Sequence, residues 1–164
     1  MKSTITQSKI NKSIYFSNKE FTRIKKNIFL KSSQLFINPK IYSEKSEFSP
    51  IVFLPNLIDE PMLIINNNNK IIVTSNVCTH RGHILANNKL NKNHLVCPYH
   101  GRKFNKCGKL EHIPKFKGNI DKKHDLKIFK SIEWYGFILV SLFNTNFIEK
   151  VLNKITNHLY WFPF

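Results

Sequence analysis

No stretch of this chain approaches the roughly 18 uninterrupted apolar residues of a membrane-spanning helix. The longest apolar run, Gly136 to Leu142, is only strand-sized. The opening residues, Met1-Lys2-Ser3-Thr4-Ile5-Thr6-Gln7, lack the apolar core of a secretory signal. Cysteine is scarce, at three residues, and two of these sit in a ligand-like pattern, which suits a reducing cytoplasm. Arginine is scarce too. The net charge is +16, yet only Arg23, Arg81 and Arg102 are Arg, the residue favoured for planar phosphate and base recognition. The Lys is spread along the chain beside abundant Asn and Ile, as an A+T-rich coding sequence would produce without selection for a ligand. Nucleic-acid binding and membrane insertion are therefore not expected. The surface charge reads as solvation, or as a basic face that steers an acidic redox partner. No nucleophile triad, phosphate-binding glycine loop or paired-carboxylate motif occurs.

At 164 residues and 41% hydrophobic content, the chain is one domain's worth. Residues 1–16 are polar and are expected to be loose, with the folded domain over 17–164. Ser17-Asn18-Lys19-Glu20 reads as a capping box, and Phe21, Ile24 and Ile28 follow on one helical face. The pattern predicts a helix over about 18–29. The period then becomes extended. Gln34–Ile37, Ile51–Leu54, Met62–Ile65 and Ile71–Ser75 are short β-branched runs, and Asn66–Asn69 reads as a hairpin turn. Leu95–Cys97, Lys103–Asn105, Lys127–Ile132 and Gly136–Leu142 continue the β pattern. Asn146 and Glu149 can cap a second helix, with Phe147, Ile148, Val151, Leu152, Ile155 and Leu159 on its apolar stripe. The prediction is a mostly β, antiparallel structure with a short helix near each end. The apolar tail Tyr160–Phe164 should pack on something.

Chemistry concentrates in two places. Cys78-Thr79-His80 and Cys97-Pro98-Tyr99-His100 are a C-x-H and a C-x₂-H pair, with 16 residues between them. Each pair is placed at the tip of a predicted hairpin and followed by a glycine, Gly82 or Gly101, which allows close backbone approach. Two thiolates can hold one iron and two neutral imidazoles a second, as in a histidine-ligated [2Fe–2S] cluster. A Cys₂His₂ zinc site uses the same residue types. Zinc modules, however, usually pair like ligands, whereas each pair here is mixed. Outside these loops, Cys107 reads as a turn thiol. Asp121 with His124 reads as a surface loop, and His83, His94, His112 and His158 as surface histidines.

With Cys78-Thr79-His80-Arg81-Gly82 and Cys97-Pro98-Tyr99-His100-Gly101 together, the chain resembles the Rieske domain of ring-hydroxylating oxygenase α subunits. Phe104, Gly108 and Leu110 match that family's F-x-x-x-G-x-L stretch. Trp134 through Leu142 resembles its W-x-GFIFVNL strand. The resemblance implies a [2Fe–2S] cluster in loops 78–83 and 97–102, with Cys78 and Cys97 on the inner iron and His80 and His100 on the iron nearer the surface. It differs from the quinol-oxidising Rieske branch, which carries an extra disulfide where His83 and Tyr99 stand here. That branch also has Ser and Tyr hydroxyls where this chain has Arg102 and Phe104. Fewer hydrogen bonds to sulfur imply a potential near the low end of the range, on the order of −150 mV.

The resemblance also implies function and partners. A ferredoxin or reductase would donate electrons, and a mononuclear-iron oxygenase domain would accept them. The family's D-x₂-H-x₄-H iron motif is not found, because position 129 is Phe. The expectation is thus a Rieske half without the C-terminal oxygenase half, of the kind that assembles into oligomers. The alternatives are a free-standing Rieske ferredoxin, a zinc-holding structural module or a decayed gene product that still folds.

Overall fold

The computed structural model describes residues 10–36, 47–68, 70–143, 148–159 and 161. Among these residues nine strands form two antiparallel sheets. They are β1 (Gln34–Phe36), β2 (Phe48–Phe53), β3 (Glu60–Asn67), β4 (Lys70–Ser75), β5 (His94–Val96), β6 (Lys103–Asn105), β7 (Leu110–His112), β8 (Ile128–Trp134) and β9 (Phe137–Ser141). The larger sheet has the order β1-β9-β8-β4-β3-β2, and the smaller has β5-β6-β7. Helices α1 (Asn18–Ile24) and α2 (Ile148–His158) lie near the two ends of the chain. The mostly β, antiparallel fold expected from the sequence is the fold observed. No helix among the described residues is long and apolar enough to cross a membrane.

The uninterrupted run Met62-Leu63-Ile64-Ile65 explains the architecture. All four residues are buried, so β3 cannot have a wet face. Successive side chains of a strand point to opposite sides. Met62 and Ile64 accordingly enter one core, with Phe53, Val73, Phe129, Ile138 and Val140. Leu63 and Ile65 enter the other, with Phe48, Leu95, Phe104, Leu126 and both Cys78 and Cys97. β3 is the wall between a structural core and the core that backs the loops carrying Cys78 and Cys97. Burying one such aliphatic side chain stabilises the fold by about 1.5–3 kcal/mol.

The Asn turn forms as expected. Asn67 pairs with Lys70, and Asn68 has φ +52°, the left-handed geometry of a tight hairpin. Tyr135 (φ +47°) and Gly136 (φ +76°) make a two-residue left-handed turn between β8 and β9, so the last strand begins at Phe137 rather than Gly136. Strand β7 had no separate signature in the sequence.

The helices differ more from expectation. Ser17 Oγ accepts the Glu20 N–H, as the capping box predicts. The helix, however, widens into a π turn over Lys25–Phe29, and Phe21 and Ile28 of its apolar face are exposed. Within the stretch expected to be loose, Lys12–Tyr15 form a 3-10 turn capped by Asn11. Helix α2 buries Leu152, and its Thr156 Oγ1 accepts the Trp134 indole N–H at 2.9 Å. Phe147, Asn146 and most of the Tyr160–Phe164 tail lie outside the described residues; Trp161 is exposed.

Candidate metal centre

The two loops that carry the Cys/His pairs are built alike. In the first, the bridge between Val77 and Ile84 closes a loop in which the Cys78 N–H donates to the His83 carbonyl at 2.8 Å. The Gly82 N–H donates back to the Cys78 carbonyl at 3.1 Å. In the second, between β5 and β6, the Cys97 N–H donates to Arg102 O at 2.8 Å, and the Gly101 N–H to Cys97 O at 2.9 Å. Both glycines have φ +71°. This left-handed conformation, rather than close approach alone, is what requires Gly at the fourth position after each Cys.

The glycines differ in one testable respect. A Cβ on Gly82 would meet nothing within 4 Å, whereas one on Gly101 would stand 3.1 Å from Pro114 Cγ. Gly82→Ala is expected to cost the backbone strain alone, about 1–2 kcal/mol. Gly101→Ala should cost more than Gly82→Ala, as read by denaturant midpoints of the two variants. Equal costs would show that Pro114 moves aside freely.

The like loops bring like donors together. Cys78 and Cys97 are both free and 2% exposed. Their thiols are close enough to hydrogen-bond one another, and the His80 backbone N–H is directed at the Cys78 sulfur. Burial pushes the Cys78 thiol up, and Cys97 adds to the rise, while that N–H and Arg102 oppose it. The His80 and His100 imidazoles are exposed at the tip and meet edge to face, with ring centroids 4.7 Å apart. Partial desolvation, followed by the charges of Arg102, His100 and Arg81, holds His80 below its ordinary value. It is thus the neutral, metal-binding form at neutral pH.

Among the described residues no three His, Cys, Asp or Glu side chains gather closely enough to hold one metal ion. The four donors form an inner thiol pair and an outer imidazole pair. That split fits a cluster with one iron for each pair, and fits a single tetrahedral zinc poorly.

Sequence reasoning missed the residues that lock the loops in place. Asn76, 3% exposed, donates from Nδ2 to Ala86 O at 2.7 Å and accepts the Ala86 N–H at 2.9 Å. It clamps the chain leaving the first loop against the chain entering it. Arg102, noted only as a replacement, is buried and donates to Thr79 Oγ1 at 3.3 Å; Thr79 donates in turn to the His124 carbonyl at 2.6 Å. The guanidinium therefore ties the second loop to the first. His83 is not an idle surface histidine: its ring faces Tyr99 of the other loop at 5.6 Å, and Tyr99 stacks on His100 at 3.7 Å. His94 Nε2 lies 3.2 Å from Glu111 Oε2. Cys107 is exposed on the β6–β7 turn, and Asp121 caps the short turn Lys122–His124.

The family model of the Rieske [2Fe-2S] domain matches residues 44–130, just over half of the chain. The chain belongs to this family. A Rieske domain binds a [2Fe–2S] cluster, so the cofactor follows from membership. Among curated relatives, the chloroplastic choline monooxygenase of Beta vulgaris is 44% identical over 70 residues, covering 41% of this chain and 16% of that protein. The carnitine monooxygenase oxygenase subunit of Escherichia coli K12 is 29% identical over 133 residues, covering 78% of this chain and 34% of that protein. In three dimensions the Rieske fold matches the apo form of the quaternary ammonium Rieske monooxygenase CntA. The TM-score there is 0.78 at 26% identity, covering 92% of this chain and 45% of that one. The chain thus spans about a third or less of these curated relatives, and under half of the solved structure.

Proposed function

We propose that Cys78, His80, Cys97 and His100 ligate the [2Fe–2S] cluster, the thiolates inside and the imidazoles outside. On this reading the chain is the electron-transfer module of a Rieske monooxygenase of the choline and carnitine monooxygenase type. The observation that carries it is the sorting of donors: two buried thiols and two exposed imidazoles at the ends of two like-built loops. When bound, the cluster supplies reversible one-electron storage. The protein does the rest. The loops fix the donors, the second core keeps water from the thiolates, and the imidazole edges give electrons a way in and out.

A ferredoxin or reductase is the proposed donor. The proposed acceptor is a mononuclear iron outside these 164 residues, on the same polypeptide or on another. Its substrate class would be quaternary ammonium compounds, as the names of the relatives suggest. Expression with iron and sulfide available, followed by metal and acid-labile sulfide analysis, tests the reading. Iron and sulfide in equal amounts, about two of each per chain, are expected. Zinc without sulfide would overturn it.

A further inference from the structure

Arg102 is the buried cation among the described residues, at 9% exposed. Charged side chains are rarely so buried without a partner of opposite charge. The carboxylates that pair with a basic side chain among the described residues do so with Arg23, His94, Lys106 and Lys123, not with Arg102. A guanidinium does not give up its proton inside a protein, so the charge stays. Taking it out of water is costly unless an anion offsets it. Among the described residues no carboxylate supplies that offset.

What the guanidinium has instead is a neutral anchor. Its Nη1 donates to Thr79 Oγ1 at 3.3 Å, and Thr79 lies between the proposed ligands Cys78 and His80. A hydroxyl has one proton to give, and that of Thr79 goes to the His124 carbonyl at 2.6 Å. Its oxygen is left as an acceptor for Arg102. Thr79 thus fixes the cation without neutralising it. The backbone adds a second constraint, because Arg102 O accepts the Cys97 N–H at 2.8 Å. The residue is tied to both loops. Its charge reaches Cys78 and His80, and it acts on the His80 ring more strongly than Arg81, which adjoins His80 in sequence but is exposed.

We infer that Arg102 is the resident counter-charge of the reduced cluster, held at the first loop by Thr79 as a positioning residue. The inference rests on the function proposed above and deepens it. Two ferric ions, two sulfides, two thiolates and two neutral imidazoles sum to no net charge, and the added electron makes the cluster an anion. A fixed, buried cation stabilises that anion and acts far less on the neutral oxidised state, so it raises the potential. Solvent and salt screen the exposed lysines, but a group this buried is screened much less.

Potentiometric titration of the cluster-loaded protein tests it. Arg102→Gln keeps a donor for Thr79 and removes the charge. Reduction should become about tenfold less favourable, a potential about 59 mV lower for a one-electron couple. Arg102→Lys, which keeps the charge, should stay within about threefold of the parent. Thr79→Val releases the guanidinium and should also lower the potential. Added to Arg102→Gln it should lower it no further, because Thr79 acts through Arg102. The Arg102→Gln shift should be the same at ~20 and ~500 mM salt. Lys154→Gln, an equal loss of charge at an exposed site on α2, should leave the potential unchanged. A parent-like potential in Arg102→Gln, a shift that salt abolishes, or a further fall in the double variant would overturn the inference. Should Arg102→Gln take up no cluster, Thr79→Val decides alone, and an unshifted potential there overturns it. A parent protein with no [2Fe–2S] signal would instead bring down the proposed function, and the inference with it.

Discussion

Replacement of His100 by Cys is expected to lower the reduction potential of the loaded protein by a few hundred millivolts. The parent should sit near the low end of the Rieske range, about −150 mV, and the variant should move toward the about −400 mV of all-thiolate plant-type clusters. The reason is charge. A thiolate in place of a neutral imidazole adds a negative charge beside the iron, and the reduced, more negative state suffers most. His100 is the better choice over His80 because it lies on the second loop, directly between two regular strands. Both imidazoles are exposed, so the shorter side chain creates no buried cavity. Arg102 works in the opposite sense: its charge acts on both Cys78 and His80 and favours the reduced state. Spectroelectrochemical titration reads the shift. An unchanged potential in a variant that keeps its cluster would mean His100 is not a ligand.

Asn76→Ala is expected to destabilise the fold by about 2–4 kcal/mol. Its side chain makes two hydrogen bonds to one residue, Ala86, in full burial. Truncation leaves an N–H and a carbonyl without partners, at about 1–3 kcal/mol each before relaxation. For a chain of this size the melting midpoint should drop on the order of 10 °C. Asn76→Asp should be no better, because it turns a donor into a second acceptor facing the Ala86 carbonyl. Thermal unfolding of the three proteins side by side checks both statements. A midpoint within a degree or two of the parent would show that the neighbouring backbone bonds, Asn76 N–H to Pro61 O and Leu85 N–H to Asn76 O, hold the loop alone.

What was legible in the sequence was local. The Cys and His of each loop declare themselves within five residues, because the glycine and both donors must share one tight turn. The β3–β4 hairpin was legible for the same reason: Asn68 tolerates the left-handed angle and the flanking runs are β-branched. What was not legible depends on distant partners. Nothing near Arg102 in the sequence says that it is buried, since Thr79 lies 23 residues away. The role of Asn76 becomes visible only when Ala86 returns beside it. The helix at 18–29 shows the opposite failure. Its apolar periodicity is genuine, but among the described residues Phe21 and Ile28 remain exposed. Spacing predicts a face and does not say what covers it.

The central claim is that two cysteines and two histidines, sorted inside and outside, hold one [2Fe–2S] cluster. Pulsed EPR of the dithionite-reduced protein, labelled with ¹⁵N-histidine, tests it most directly. The account predicts a rhombic signal with an average g below that of all-thiolate clusters, and strong couplings from two inequivalent histidine nitrogens. One of these couplings should disappear in His100→Cys. A reduced cluster without strong histidine couplings, or a silent sample holding zinc, would contradict it.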